Sequence, residues 1–247
     1  MHRKIRVAAV SYLNTKPLTY GFEHGQMTEK MDLVFEYPSN LASMLLNDQV
    51  DLALVPVAII PSMIEYHIIS DYCIGAIGEV ASVCLFSDVP LTEIKALYLD
   101  YQSRTSAALL KILLEKHWKT SPQILTADAG YENRISGATA GLVIGDRALV
   151  LRKKYKYVYD LAGAWNEMTG LPFVFAAWIS NKKIPEDFII TFNITTAVGF
   201  KHIDEIVATN KFEDYDLKKY YTENINYILN DKKKEGLSLF LKFLSAD

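Results

Sequence analysis

The chain has only two cysteines in 247 residues, too few for a disulfide framework. Cys73 and Cys84 could pair with each other in principle. Cys84, however, stands in the apolar run Val83-Cys84-Leu85-Phe86, the setting of a buried core thiol. The five histidines, His2, His24, His67, His117 and His202, show no metal-ligand spacing, and there is no Cys-x-x-Cys pair. No Walker loop, Gly-x-Gly-x-x-Gly or Gly-x-Ser-x-Gly occurs, so the familiar nucleotide and serine-hydrolase signatures are missing. No apolar run reaches transmembrane length. Met1-His2-Arg3-Lys4 is basic, but Ile5 to Val10 is too short for a signal-peptide core, so a cytoplasmic protein is expected. A net charge of −3 gives no electrostatic reason to expect nucleic acid or an anionic membrane as partner. Repeats, low-complexity tracts and long linkers are absent. A polar site for a small molecule, without cofactor or metal, is what remains; an anionic ligand would need a local positive site.

Half the residues are hydrophobic and 22% are charged, as in ordinary folded proteins. The length suffices for one large domain or two small ones. The most informative stretch runs from Ala96 to Ser106. The apolar Ala96-Leu97-Tyr98-Leu99 ends in a polar elbow, and a helical pattern follows from Ala107. Ser103 is suited to cap that helix. The amides of Arg104, Thr105 and Ser106 would then lack intrahelical acceptors and, with the helix dipole, favour a carboxylate or phosphate. Arg104 could add a bidentate clamp. The plainer reading, that Ser103 and Thr105 only cap, stays open at this point.

The rest of the chain fits an α/β pattern. Ile5 to Val10 reads as a buried strand running into Ser11-Tyr12-Leu13-Asn14, where such folds place ligand contacts. Asn14 can donate and accept; it and Ser11 could equally hold the turn by local bonds. Leu33 to Tyr37, a helix capped by Ser39, and Asp51 to Val55 closed by Pro56 make a βαβ unit, hence a parallel start to the sheet. A helix is expected over Ala58 to Tyr66 despite Pro61. Ser82, inside an apolar run, needs a partner: a backbone carbonyl or a ligand. Asp88-Val89-Pro90 is the first expected boundary. A second α/β series starts at Ile94 and includes the strand Ala140 to Ile144, which ends at Gly145 with Asp146 as cap of the next helix. Thr169 to Pro172 and the aromatic strand from Phe173 mark the return. Helices are expected over Tyr215 to Leu229 and Lys232 to Leu244. Lys232-Lys233-Lys234 reads as a solvated face, and Tyr220 and Tyr221 as helix packing. Two α/β lobes follow, 1–88 with 173–247 and an inserted 89–172, with a ligand cleft between them. The loops at Asn14, Ser39, Pro56, Ser103 and Gly145 would face that cleft.

Four motifs in order carry a resemblance: Ser11-Tyr12-Leu13-Asn14; Ser103-Arg104-Thr105-Ser106; Ile144-Gly145-Asp146-Arg147-Ala148-Leu149; and Asp160-Leu161 through Trp165 to Thr169-Gly170-Leu171-Pro172-Phe173-Val174-Phe175-Ala176-Ala177-Trp178. From about Ile5 to Trp178 the chain resembles the chorismate dehydratases of the futalosine route to menaquinone. The resemblance implies a type II periplasmic-binding-protein-like fold used as an enzyme. It implies dehydration of chorismate to 3-[(1-carboxyvinyl)oxy]benzoate, a carbon–oxygen lyase reaction that aromatisation drives without a cofactor. The sister 1,4-dihydroxy-6-naphthoate synthases share the fold and carry a catalytic His where this chain has Gly145-Asp146, which favours the dehydratase branch. A non-catalytic binder of an anionic metabolite is the alternative of another class. Asn14, Ser82 and Asp146 are then the catalytic candidates. Ser11, Ser39, Pro56, Ser103, Arg104, Thr105, Ser106 and Gly145 are the substrate-binding candidates. Asp146 and Asp100 are the nearest carboxylates for proton transfer. The substrate's own enolpyruvyl carboxylate is the other acceptor, with Asn14 and Ser82 orienting the substrate. Oligomeric state is left unassigned.

Overall fold

The computed structural model describes residues 3–245. Four strands come first: β1 (Ile5–Val10), β2 (Met31–Glu36), β3 (Leu52–Pro56) and β4 (His67–Ala76). A second set follows: β5 (Val83–Ser87), β6 (Ala96–Tyr98), β7 (Gln123–Leu125), β8 (Thr139–Ile144) and β9 (Tyr157–Asp160). β10 (Phe173–Ser180) returns to the first set. The two five-stranded sheets have orders β2-β1-β3-β10-β4 and β7-β6-β8-β5-β9. Within each sheet one strand opposes the rest: β10 is antiparallel to β3 and β4, and β5 is antiparallel to β8 and β9. These reversed strands are the ones with which the chain enters each sheet from the other. The βαβ start is parallel, with β1 between β2 and β3.

The first crossing differs from expectation. Val83–Ser87 pairs with β8 and β9, so the chain changes sheets over residues 77–82, ahead of Asp88. All five residues of β5 are buried, which an interior strand requires. A short apolar run signals burial without saying which sheet buries it.

The helices are α1 (Lys16–Glu23), α2 (Pro38–Leu46), α3 (Arg104–Ile112), α4 (Asp146–Leu151), α5 (Leu161–Thr169), α6 (Glu186–Val198), α7 (Ile203–Thr209), α8 (Leu217–Lys219) and α9 (Asp231–Leu244). Pro38 takes the first position of α2 and Tyr37 its N-cap, so Ser39 is inside the helix; proline suits that place because its missing N–H would have no acceptor there. Val57–Ser62 is a 3₁₀ turn, shorter than the expected helix, since Pro61 lacks a donor to extend it. α8 continues as a π turn over Tyr220–Asn224 and stops. Beyond it the chain is extended along the free edge of β4, through Cys73 N to Tyr227 O at 2.7 Å, Asn226 N to Gly75 O at 2.8 Å and Leu229 N to Asp71 O at 2.8 Å. The expected helix to Leu229 is thus replaced by a segment that covers an open sheet edge.

Lys233 also departs from expectation. It is fully buried, and its ammonium donates to Asn226 O, Asn226 Oδ1 and Ile228 O at 2.5, 2.5 and 2.6 Å. Three acceptors match its three donors. Lys232 and Lys234 are exposed, so the charge run conceals one inward residue.

Trp178 packs edge-on against Phe22 and Phe192, with ring centres 6.5 and 5.0 Å away. Trp165 of α5 meets Phe173 at 5.3 Å and Phe240 of α9 at 6.2 Å. Since α5 follows the second sheet while β10 and α9 belong with the first, apolar packing joins the two lobes. Cys73 and Cys84 are both buried and free. Among the described residues no helix is long and apolar enough to cross a membrane.

Candidate functional site

The carboxyl ends of β1, β3 and β4 face the loops that follow β6 and β8. A cleft lies between them. Asn14, Pro56, Ser82, Ser103, Ser106 and Gly145 all line it, together with Tyr12 and apolar residues such as Leu54, Ile74 and Phe175. Residues far apart in sequence meet here because each follows or precedes a strand at the same side of its sheet. Among the described residues none that lines it is an aspartate, glutamate, lysine, arginine or histidine.

Ser103 caps α3: its Oγ accepts the Ser106 amide at 3.1 Å and donates to Ser106 Oγ at 2.9 Å. Ser103 and Ser106 also line the cleft, so capping and facing a ligand are compatible. The first amides of α3 have no intrahelical acceptor, which makes this the electropositive end of a nine-residue helix. Thr105 serves elsewhere. Its Oγ1 accepts the amide of Ala58 at 3.1 Å, a tie between the lobes. Arg104 and Ser11 are exposed and not among the lining residues. The side chain of Ser39 lies outside the described residues.

Asp146 forms a second tie. It is the first residue of α4, with Gly145 at the N-cap, so it is not the cap itself. Its Oδ1 accepts the amide of Leu13 at 3.2 Å. Burial raises its carboxyl above the ordinary carboxylate range, while the Leu13 bond opposes this. Gly145 has φ +65° and ψ −147°, a conformation almost confined to glycine. A Cβ there would stand 3.5 Å from the Tyr12 ring.

Beside the cleft a polar chain links the lobes. The Tyr12 hydroxyl donates to Gln102 Oε1 at 2.7 Å, and Arg147 Nη2 donates to the same oxygen at 2.8 Å. Arg147 also reaches Asp100 at 2.7 Å and Glu132 at 3.0 Å. Asp100 further accepts the Gln102 amide, the Tyr131 hydroxyl and the Ile144 amide at 2.8, 2.9 and 3.2 Å. Burial pushes its carboxyl up, and Arg147 and these donors pull it back. With both oxygens occupied, Asp100 positions the loops after β6 and β8.

Ser82 is held through the backbone by Asp160. Asp160 accepts the amides of Val80 and Ala81 at 3.1 and 2.7 Å, and caps α5 through Ala162 and Gly163, each at 3.1 Å. Ala81 has φ +64°, and Ser82 N closes on Val80 O at 2.8 Å. This two-residue closure with positive φ is a strained γ-turn. It sits where the chain first crosses between sheets. The partner that Ser82 requires is the Tyr220 hydroxyl, which donates to its Oγ at 2.7 Å. Tyr227 donates to the carbonyl of Asn14 at 3.1 Å.

Sequence reasoning missed Tyr12, Tyr220, Tyr227 and the role of Asp160. Tyr12 and Asp160 lay inside the recognised motifs. The two C-terminal tyrosines had no such signal, because a helical pattern concealed the π turn and the extended segment. Among the described residues no group of three or more histidine, cysteine, aspartate or glutamate side chains is placed to hold a metal ion.

Comparison with known proteins agrees with this geometry. A family model described as menaquinone biosynthesis matches residues 5–246. A chorismate dehydratase from Thermus thermophilus is 28% identical over 256 residues, covering 94% of this chain and 92% of that protein. A chorismate dehydratase from Campylobacter jejuni is 28% identical over 153 residues, covering 60% of this chain and 68% of that one. Among solved structures, protein AF1704 from Archaeoglobus fulgidus superposes with a TM-score of 0.78 at 17% identity, covering 98% of this chain and 97% of that one. The periplasmic aliphatic sulphonate binding protein SsuA from Escherichia coli gives 0.63 at 13%, covering 100% and 92%. The structural likenesses show a two-lobed binding-protein fold and no more. The sequence match spans both lobes and every loop that meets at the cleft, and on that ground the chain belongs to the menaquinone biosynthesis family.

Proposed function

We propose that the protein is a chorismate dehydratase, forming 3-[(1-carboxyvinyl)oxy]benzoate and water. The observation that carries this reading is the composition of the cleft: the Ser103 and Ser106 hydroxyls at the positive end of α3, together with Asn14 and Ser82. Chorismate brings two carboxylates. The Ser103–Ser106 end of α3 suits one of them.

In this reading the other, on the enolpyruvyl group, is the base. It takes the proton from the ring carbon that bears the ether, the electron pair of that C–H bond completes the aromatic ring, and the neighbouring C–O bond breaks. The departing hydroxide takes the proton that the carboxylate received and leaves as water, so the carboxylate is restored. Asn14 and Ser82 hold the conformer in which these bonds align. Asp146, bonded to Leu13, keeps the lobes in register. The reaction is a lyase reaction without cofactor, placed in the cytoplasm. Gly145 supports the dehydratase over the sister synthase, since no imidazole stands at its position.

The test is incubation of purified protein with chorismate, without metal or nucleotide, followed by chromatography. Appearance of the carboxyvinyloxy-benzoate supports the reading. Unchanged chorismate together with a raised melting temperature would make this a binding protein instead.

A further inference from the structure

Tyr220 lies behind the cleft, bonded to one of its lining residues. It is fully buried and does not line the cavity. It opens the π turn that follows α8, where Ile225 N closes on Tyr220 O at 2.9 Å. Such wide turns rotate the side chains after them off the ordinary helical face and recur at functional sites. Here the turn aims the phenol inward, 138 residues along the chain from the serine it meets. The hydroxyl donates to Ser82 Oγ at 2.7 Å. Seven residues on, Tyr227 donates to the carbonyl of Asn14.

The segment that begins at Tyr220 therefore reaches both residues that the proposed dehydration uses, Ser82 through its hydroxyl and Asn14 through its carbonyl. A serine hydroxyl has one proton to give and lone pairs that accept. With the Tyr220 proton on its oxygen, Ser82 is left to donate, and the face it presents is the cleft. Burial holds the phenol far above its ordinary range, so the direction of this bond does not change with pH in the working range. The backbone of Ser82 is fixed independently, by the Asp160 grip on Val80 and Ala81. Among the described residues its hydroxyl is held by the Tyr220 bond.

We infer that Tyr220 is a positioning residue of the dehydration site, orienting Ser82 as a donor into the cleft. The inference rests on the dehydratase reading. It is tested by measuring chorismate turnover for the wild type, Tyr220→Phe, Ser82→Ala and the double variant in one series. Tyr220→Phe removes one oxygen and keeps the packed ring. The expected result is a fall in kcat on the order of tenfold with KM within about twofold. The double variant is expected to be no slower than Ser82→Ala alone, because the effect of Tyr220 passes through Ser82. A merely structural tyrosine would instead multiply its loss onto that of Ser82→Ala, and this outcome overturns the inference. So does a Tyr220→Phe variant that matches the wild type. Failure of the wild type itself to convert chorismate overturns the dehydratase reading, and the inference falls with it; conversion by the wild type with either of the other two results removes the inference alone.

Discussion

Two buried aspartates with arginine partners stand at opposite ends of the strands, and they differ in what they hold. Asp51 precedes β3 at the end away from the cleft. Only 3% exposed, it receives Arg3 at 2.8 Å, Arg6 at 2.8 Å and Lys182 at 3.1 Å. Burial acts to raise its carboxyl, but the Arg6, Arg3 and Lys182 bonds outweigh this and hold it well below the usual carboxylate range. Asp100 follows β6 at the cleft end, and is equally buried. Its donors are Arg147, Tyr131 and the amides of Gln102 and Ile144, the last of which adjoins Gly145. Both hold cations, but three cationic side chains bring Asp51 below the usual range, whereas burial leaves Asp100 above it, and their positions differ. At the amino ends of the strands such a cluster ties the termini of the sheet; at the carboxyl ends it sets the loops that form the site.

The comparison is broken most severely by Asp100→Asn. That variant removes one of the two carboxylate partners of Arg147 and leaves Glu132 at 3.0 Å as the other, at a cost of about 1–3 kcal/mol. Urea unfolding is expected to show a loss in that range, and chorismate turnover to fall with it even where the protein remains folded. Asp51→Asn is expected to destabilise by a comparable amount, about 1–3 kcal/mol, since its cationic partners are likewise partly exposed. Its KM and kcat should equal those of the wild type under conditions where both are folded. A turnover loss in Asp51→Asn would erase the distinction between the two ends.

The acid limb sharpens the same contrast. Because the folded-state pKa of Asp51 is depressed, its contribution is complete above the unfolded value near 3.9 and is lost as pH falls below it. Wild type should therefore lose stability more steeply below about pH 4 than Asp51→Asn, as read by unfolding midpoints across that range. A smaller effect is expected at Gln102. Gln102→Ala cuts the path from Arg147 to Tyr12 at a cost of about 1 kcal/mol, while slowing turnover more than that figure suggests for a surface position. The smallest effect is expected for Thr105→Val, which removes the acceptor of the Ala58 amide: a change of about 1 kcal/mol or less, seen chiefly as a weaker KM if lobe closure precedes chemistry.

Much of this was legible in the sequence where local patterns decide the outcome. The apolar run from Ile5, the βαβ spacing to Pro56 and the Ser103 elbow each depend on neighbours in the chain, and each forms as expected. What was not legible depends on pairing at a distance. Val83–Ser87 gave no sign of the sheet it joins, so the first crossing was placed too late. Lys233 lies in a run of three lysines, and only the carbonyls of Asn226 and Ile228 distinguish it from its neighbours. For the cleft, the loops after strands announced Asn14, Pro56, Ser103 and Gly145. The apolar setting of Ser82 announced that a partner was needed without naming it. That partner comes from the C-terminal segment, whose helical periodicity hides a π turn.

The most direct test of the account is kcat for chorismate in Asp146→Asn. Asparagine keeps an oxygen that accepts the Leu13 amide but cannot take a proton from carbon. If the substrate's own carboxylate is the base, dehydration persists within about tenfold of the wild type. A loss on the order of a thousandfold, the range for removing a general base, would make Asp146 the proton acceptor and contradict the account.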